Sequence, residues 1–170
     1  HTSSGRNKFR ENPNDACLPC HESRVRDPQP HTRHDPAGAG GTCIACHMPK
    51  TSFARMDRSD HSFRPPAPAA TIEFGSPNAC NLCHSDKSAS WANNIVIKER
   101  GNYQDEIIRL GRLMKEARAN EWKNAEIISE GIINKKFNHL FVTAFIRLAD
   151  IYNFEGLNRA IISVKGNDSP

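Results

Sequence analysis

All six cysteines of this 170-residue chain fall in one spacing: Cys17-Leu18-Pro19-Cys20-His21, Cys43-Ile44-Ala45-Cys46-His47 and Cys80-Asn81-Leu82-Cys83-His84. Two thiols three positions apart can add across the two vinyl groups on one porphyrin edge. The histidine that follows the second thiol then lies under the iron. C-x-x-C-H is the attachment signal of c-type haem. The pattern therefore predicts three haem c groups. Cys17, Cys20, Cys43, Cys46, Cys80 and Cys83 would carry them as thioethers, with His21, His47 and His84 as proximal ligands. Structural zinc also uses C-x-x-C pairs, but it needs four ligands and gives no reason for a histidine after every pair. A disulfide within C-x-x-C closes a very short loop and staples nothing distant.

A haem iron takes a sixth ligand or keeps an open position for substrate. Five histidines remain for that role: His1, His31, His34, His61 and His139. His31 and His34 precede the second pentapeptide in a proline-bounded loop, and His61 lies between the second and third. Loops so poor in apolar residues need tethers, and an iron–imidazole bond is one. His139, in "FNHLF", fits an ordinary helix position, though it could also reach a haem. Met48 follows His47 directly and cannot swing to the opposite face of the same group; Met56 is a weaker candidate than His61, and Met114 fits a helix core.

The elements that must position these residues divide near residue 87. Residues 1–87 hold ten of the eleven prolines and eleven large apolar side chains, against twenty-nine in residues 88–170. So little apolar material cannot build a protein-only core. A haem-packed, loop-rich N-terminal part, 1–87, is expected, with short helical turns at the pentapeptides and no strands. "RDPQPHTRHDPAGAGG" is expected to be extended and turn-rich, and "RPPAPAA" extended and polyproline-like. Net charge is +4, +2 on each half, too little for nucleic-acid binding. Arg24, Arg26, Arg33, Arg55, Arg58 and Arg64 are either solvated or clamp haem propionates.

From Ser88 apolar residues recur at three and four, the spacing of amphipathic helices. Trp91, Ile95 and Lys98 mark one, ended by Gly101; Ile107, Leu110, Met114 and Ala117 a second; Trp122, Ala125, Ile128 and Ile132 a third. Leu140, Phe141, Ala144, Phe145 and Leu148 mark a fourth, and Leu157, Ala160, Ile161 and Val164 a fifth. Their pairing resembles the period of helical solenoids. The expected fold is mainly α with much irregular structure. Residues 88–170 would form a hairpin or solenoid-like, TPR- or HEAT-like part, truncated at its end.

"HTRHDPAGAGGTCIACHMPK", "DHSFRPP" and "SPNACNLCHSDKSASWA" together resemble the haem segment of large bacterial multihaem cytochromes that run into TPR- or HEAT-like repeats. More distantly, the order is similar to the last haem motifs of pentahaem nitrite reductase. The resemblance covers about residues 31–92. It implies that His34, or His31, completes the Cys80–Cys83 haem and that His61 completes the Cys17–Cys20 haem. His1 or His139 is then left for the Cys43–Cys46 haem. Two departures set catalysis aside: there is no C-x-x-C-K pentapeptide, and no tyrosine in residues 1–87.

The expected function is electron transfer by three bis-histidine haems, without a substrate site of its own. The alternative is a subunit or fragment of a multihaem oxidoreductase acting on a small nitrogen or sulfur compound. Redox proteins or further copies of the chain are the expected partners, with no nucleic acid and no membrane span. Haem c is attached outside the cytoplasm, so the chain is expected to be periplasmic or extracellular, as a processed chain or a piece of a longer one.

Overall fold

Proline and glycine punctuation restricts the residues before Ser88 to short helices, whereas the apolar stripes after it allow longer ones. The computed structural model describes residues 12–134, 136–137 and 139–157. It divides into two units, residues 1–102 and 103–170. The fold is mostly α-helical with an irregular N-terminal region.

In the first unit a 3-10 turn, Pro13–Cys17, leads into α1 (Glu22–Arg26) and the one-turn α2 (Gln29–Thr32). A second 3-10 turn, Ala39–Gly41, precedes α3 (Cys43–His47). After the strands come α4 (Pro68–Phe74), α5 (Ala79–Cys83) and α6 (Ala89–Arg100). Pro68 occupies the first turn of α4, where its missing N–H costs nothing, and Gly75 closes the helix at φ 69°. Helix α4 packs along α6. Ser88 caps α6 by accepting from the Trp91 N–H at 3.1 Å, and Gly101 ends it at φ 70°. The first unit thus includes a helix that the sequence assigned to the part beginning at residue 88.

Two features differ from the sequence expectation. Lys50–Phe53 (β1) and Met56–Ser59 (β2) form an antiparallel hairpin, Lys50 opposite Ser59 and Phe53 opposite Met56. Its turn residues Ala54 and Arg55 both have positive φ, 49° and 64°. A tight hairpin turn demands that backbone, but its usual signature is Asn-Gly, so Ala-Arg hid the turn. The second difference is α4, which forms where polyproline-like chain was expected. Proline is tolerated at a helix start, and "AATIEF" continues the turn.

The second unit holds α7 (Asp105–Arg118), α8 (Ala125–Ile133) and α9 (His139–Ile151). Acidic residues open α7 and basic ones close it, in keeping with the helix dipole. Its core is Leu113, Ala117, Ile128, Ile132, Phe137, Phe145, Ala149 and Leu157. Phe145 lies at the centre, with ring centroids 5.9 Å from Phe137 and 6.5 Å from Phe141. Trp122 stacks on Phe154 at 4.6 Å. The Tyr152 hydroxyl donates to the Arg118 carbonyl at 2.9 Å, satisfying one open acceptor at the end of α7. Of the fifth expected helix, only Leu157 lies within the described residues. No helix among the described residues is long and apolar enough to cross a membrane.

Candidate functional site

Each C-x-x-C-H pentapeptide of the sequence sits on a helical turn. The first leaves the Pro13–Cys17 turn and enters α1, the second is α3 itself, and the third occupies α5. Helix α3 packs against both the Pro13–Cys17 turn and α5.

Polar side chains bind these turns together. Thr42, at the start of α3, turns its hydroxyl to the Ala39 carbonyl, 2.9 Å away, and leaves the helix without a cap of its own. Asn14, buried, supplies the cap. Its Oδ1 accepts from the Cys43 N–H at 2.7 Å, and its Nδ2 donates to the Gly41 carbonyl at 3.0 Å. Any side chain at Gly41 would put a Cβ 2.6 Å from the Asp35 and Pro36 carbonyl oxygens, so only glycine fits. In the third pentapeptide Asn78 accepts from the Asn81 N–H at 3.1 Å and donates to Thr71 on α4 at 2.8 Å. Asn81 in turn donates to the Lys87 carbonyl at 2.8 Å.

The histidines then fall into facing pairs. His31 and His47 are parallel within 9°, their ring centroids 6.2 Å apart. His34 and His84 have centroids 6.1 Å apart at 40°, with Trp91 tilted over His84 at 5.1 Å. A ligating imidazole nitrogen sits about 2 Å from its metal and the ring centre about 1 Å further out, so two imidazoles sharing an ion have centroids about 6 Å apart. Both pairs fit an iron between them. The hydrogen bonding of His34 agrees, since its Nδ1 lies 2.6 Å from the Thr32 carbonyl oxygen. An Nδ1–H committed to a carbonyl leaves Nε2 as the ligand. Gly40 makes room, since a Cβ there would lie 2.5 Å from the His34 ring. His61 is held the same way, its Nδ1 2.7 Å from the Ser59 carbonyl oxygen.

The family resemblance implied His34, or His31, opposite the Cys80–Cys83 haem; it is the His34 ring that lies beside His84. The resemblance had offered His1 or His139 to the Cys43–Cys46 haem, yet His31 faces His47. Arg33, at φ 60°, explains the divergence. It breaks the helical path between His31 and His34, so two rings three residues apart reach different partners. His1 lies outside the described residues, and His139 is exposed at the start of α9. Among the described residues, His21 and His61 face no other ring.

Burial, then the charges of Arg100, Arg24, His47 and His21, depress the His31 pKa and favour the neutral, ligating imidazole. Burial and the neighbouring Cys17 push the Cys43 thiol up to about 11. Cys46 is raised by burial and by Cys80 and Cys83, and Cys80 by burial and Cys83. Cys43, Cys46 and Cys80 are thus held as neutral thiols. A cavity of about 310 Å³ beside His31 is lined by Ser23, Arg24, Asp27, Pro30 and Arg100. The apolar side chains of this unit are poorly covered. Val25, Ala79 and Ala92 are its buried hydrophobics among the described residues, while Met56, Phe63, Ile72, Leu82, Ile95 and Ile97 are exposed.

A family model described as cytochrome c552 matches residues 30–148. No curated protein and no solved structure matches the chain. The family match corrects the expectation of a large multihaem cytochrome with TPR- or HEAT-like repeats, since the family found is cytochrome c552. The expected complement of three haem c groups is corrected with it. Among the described residues no group of three or more His, Cys, Asp or Glu side chains gathers to hold a metal ion. Electron transfer by three haems, and the multihaem label, therefore give way to a coarser statement: cytochrome character consistent with electron transfer. With more than half of its length inside the match, the chain belongs to the cytochrome c552 family.

Proposed function

We propose that this chain carries electrons as a c-type cytochrome, with a porphyrin joined to Cys43 and Cys46 and its iron held between His47 and His31. The parallel pair His31–His47, at 6.2 Å, carries the proposal. When bound, the group supplies a one-electron ferric–ferrous couple. The chain's own residues do the rest. With His31 and His47 both holding the iron, no position would be left for a substrate, which favours a carrier over an enzyme. Neutral His31 has its lone pair free to ligate. The apolar poverty of the first unit supports a haem-packed interior, because a macrocycle would cover side chains such as Leu82 and Ile72 that are now exposed.

The helices after residue 88 serve as a repeat-like docking part for redox proteins or further copies of the chain. The setting is periplasmic or extracellular, where c-type haem is attached. The mass of the intact chain counts the occupied pentapeptides, and a digest identifies them. A haem on the peptide containing Cys43 and Cys46, with a low-spin ferric spectrum, is expected. Unmodified Cys43 and Cys46 thiols in the native protein would overturn the assignment.

A further inference from the structure

His31 sits on α2, a helix of four residues that cannot hold itself together, because helix nucleation is costly and one turn returns almost nothing. Something else fixes its backbone, and that element is the C-terminal end of α6. The Arg100 Nη2 donates to the carbonyl oxygens of both Pro30 and His31. These are acceptors that the end of α2 would otherwise leave open. The preceding residue, Glu99, pairs with Arg33 at 2.7 Å. Two successive residues of α6 thus grip the chain at His31 itself and two residues beyond it. Arg33 is the left-handed residue that turns the chain away from His31. The α6 grip therefore acts on the backbone that separates the two histidine pairs.

We infer that Arg100 is a positioning residue that holds His31 opposite His47, with the Glu99–Arg33 pair as a second hold on the same turn. The inference rests on the proposed iron between His31 and His47. Both bonds come from one guanidinium nitrogen, Nη2, on a planar, pre-organised head group, whereas a lysine offers a mobile point charge. Loss of the guanidinium frees the His31 carbonyl and lets α2 fray, and His31 would then leave its place opposite His47 for part of the time.

The test uses the full-length holoprotein as isolated, in unaltered form and as Arg100→Gln, Arg100→Lys and His31→Ala. Cyanide binding to the ferric protein and the high-spin signal in electron paramagnetic resonance are the readouts. Arg100→Gln is expected to bind cyanide about tenfold faster than the unaltered protein, in the range typical of lost outer-shell partners, and to show part of the high-spin signal of His31→Ala. Arg100→Lys should fall between. A merely structural role would lower the melting temperature without opening an axial position. Wild-type cyanide kinetics and spin state in Arg100→Gln would overturn the inference. If that variant fails to accumulate, Arg100→Lys is read in its place, and a spectrum like the unaltered protein's overturns the inference equally. Absence of a haem on the Cys43–Cys46 peptide of the unaltered protein would sink the proposed site itself, a result separate from either outcome for Arg100.

Discussion

The rings of His31 and His47 lie parallel within 9°, their centroids 6.2 Å apart, although one belongs to a one-turn helix and the other closes the second C-x-x-C-H pentapeptide. Two side chains in van der Waals contact would close to a smaller separation. A gap of this size has room for one ion and a flat ring. His31→Ala should therefore give a high-spin, ligand-accessible ferric haem, and added imidazole should restore the low-spin spectrum. Electronic absorption with and without imidazole checks it; an unchanged spectrum would return His31 to the role of a loop residue.

Gly40 should matter for the other pair. A methyl group there would stand 2.5–2.6 Å from the His34 ring. The ring must move, and its 2.6 Å contact from Nδ1 to the Thr32 carbonyl must lengthen or break. In the holoprotein, Gly40→Ala is expected to perturb the spectrum in the same direction as His34→Ala, with a smaller amplitude. Equal spectra for Gly40→Ala and the unaltered protein would show that the loop absorbs the methyl group.

What was legible in the sequence tracks what covalent and local chemistry dictate. The pentapeptides stood out because their spacing is set by the bonds they can make. The stripes at Ile107, Leu110 and Met114 and at Phe141, Phe145 and Leu148 marked α7 and α9 because helical periodicity is local. The His31–His47 pairing was hidden. It depends on a left-handed Arg33 and on Arg100, 69 residues further on, neither of which leaves a local signal. The hairpin was hidden for a related reason, since Ala54 and Arg55 adopt a glycine-like backbone. The count of three haems takes each pentapeptide as an independent site, whereas no group of three or more His, Cys, Asp or Glu side chains gathers to hold a metal ion among the described residues.

Asn14 is the polar bolt between the first and second pentapeptides. Asn14→Ala would leave the Cys43 N–H and the Gly41 carbonyl without their partner in a buried setting. Loss of a helix cap with an unsatisfied buried partner costs about 1–3 kcal/mol. Denaturant unfolding of the holoprotein should show that loss. Asn14→Asp keeps the acceptor for Cys43 but not the donor for Gly41, so it should fall between. A ranking with Asn14→Asp below Asn14→Ala would contradict the capping role.

The Glu106–Arg109 pair gives a small acid dependence. Hydrogen bonds from Arg109, at 2.6 and 2.8 Å, hold the Glu106 carboxyl below the usual carboxylate range. A depressed folded-state pKa contributes stability above the unfolded pKa and loses it as pH falls through the folded value. Both groups are exposed, so solvent screening leaves a few tenths of a kcal/mol. Glu106→Gln should flatten the stability profile slightly below about pH 4.5 and change little at neutral pH. A destabilisation above about 1 kcal/mol at pH 7 would mean that Glu106 does more than pair on the surface.

The sharpest packing test lies in the second unit, at Gly131 on α8. Helix propensity alone favours Gly131→Ala by about 1 kcal/mol. Packing opposes it, because the added methyl group would stand 2.3–2.8 Å from ring atoms of the buried Phe137, which is itself set against Phe145. Overpacking of a filled core costs typically 1–3 kcal/mol. The clash involves a ring held on several sides rather than the end of a flexible chain, so packing should win and the variant should be net destabilised. The double variant Gly131→Ala with Phe137→Leu separates the two terms. If the ring is the cause, the alanine should cost less in the Phe137→Leu background than alone, a coupling readable from a thermodynamic cycle of melting curves. An equal cost in both backgrounds would place the damage in the α8 backbone and remove Phe137 from the explanation.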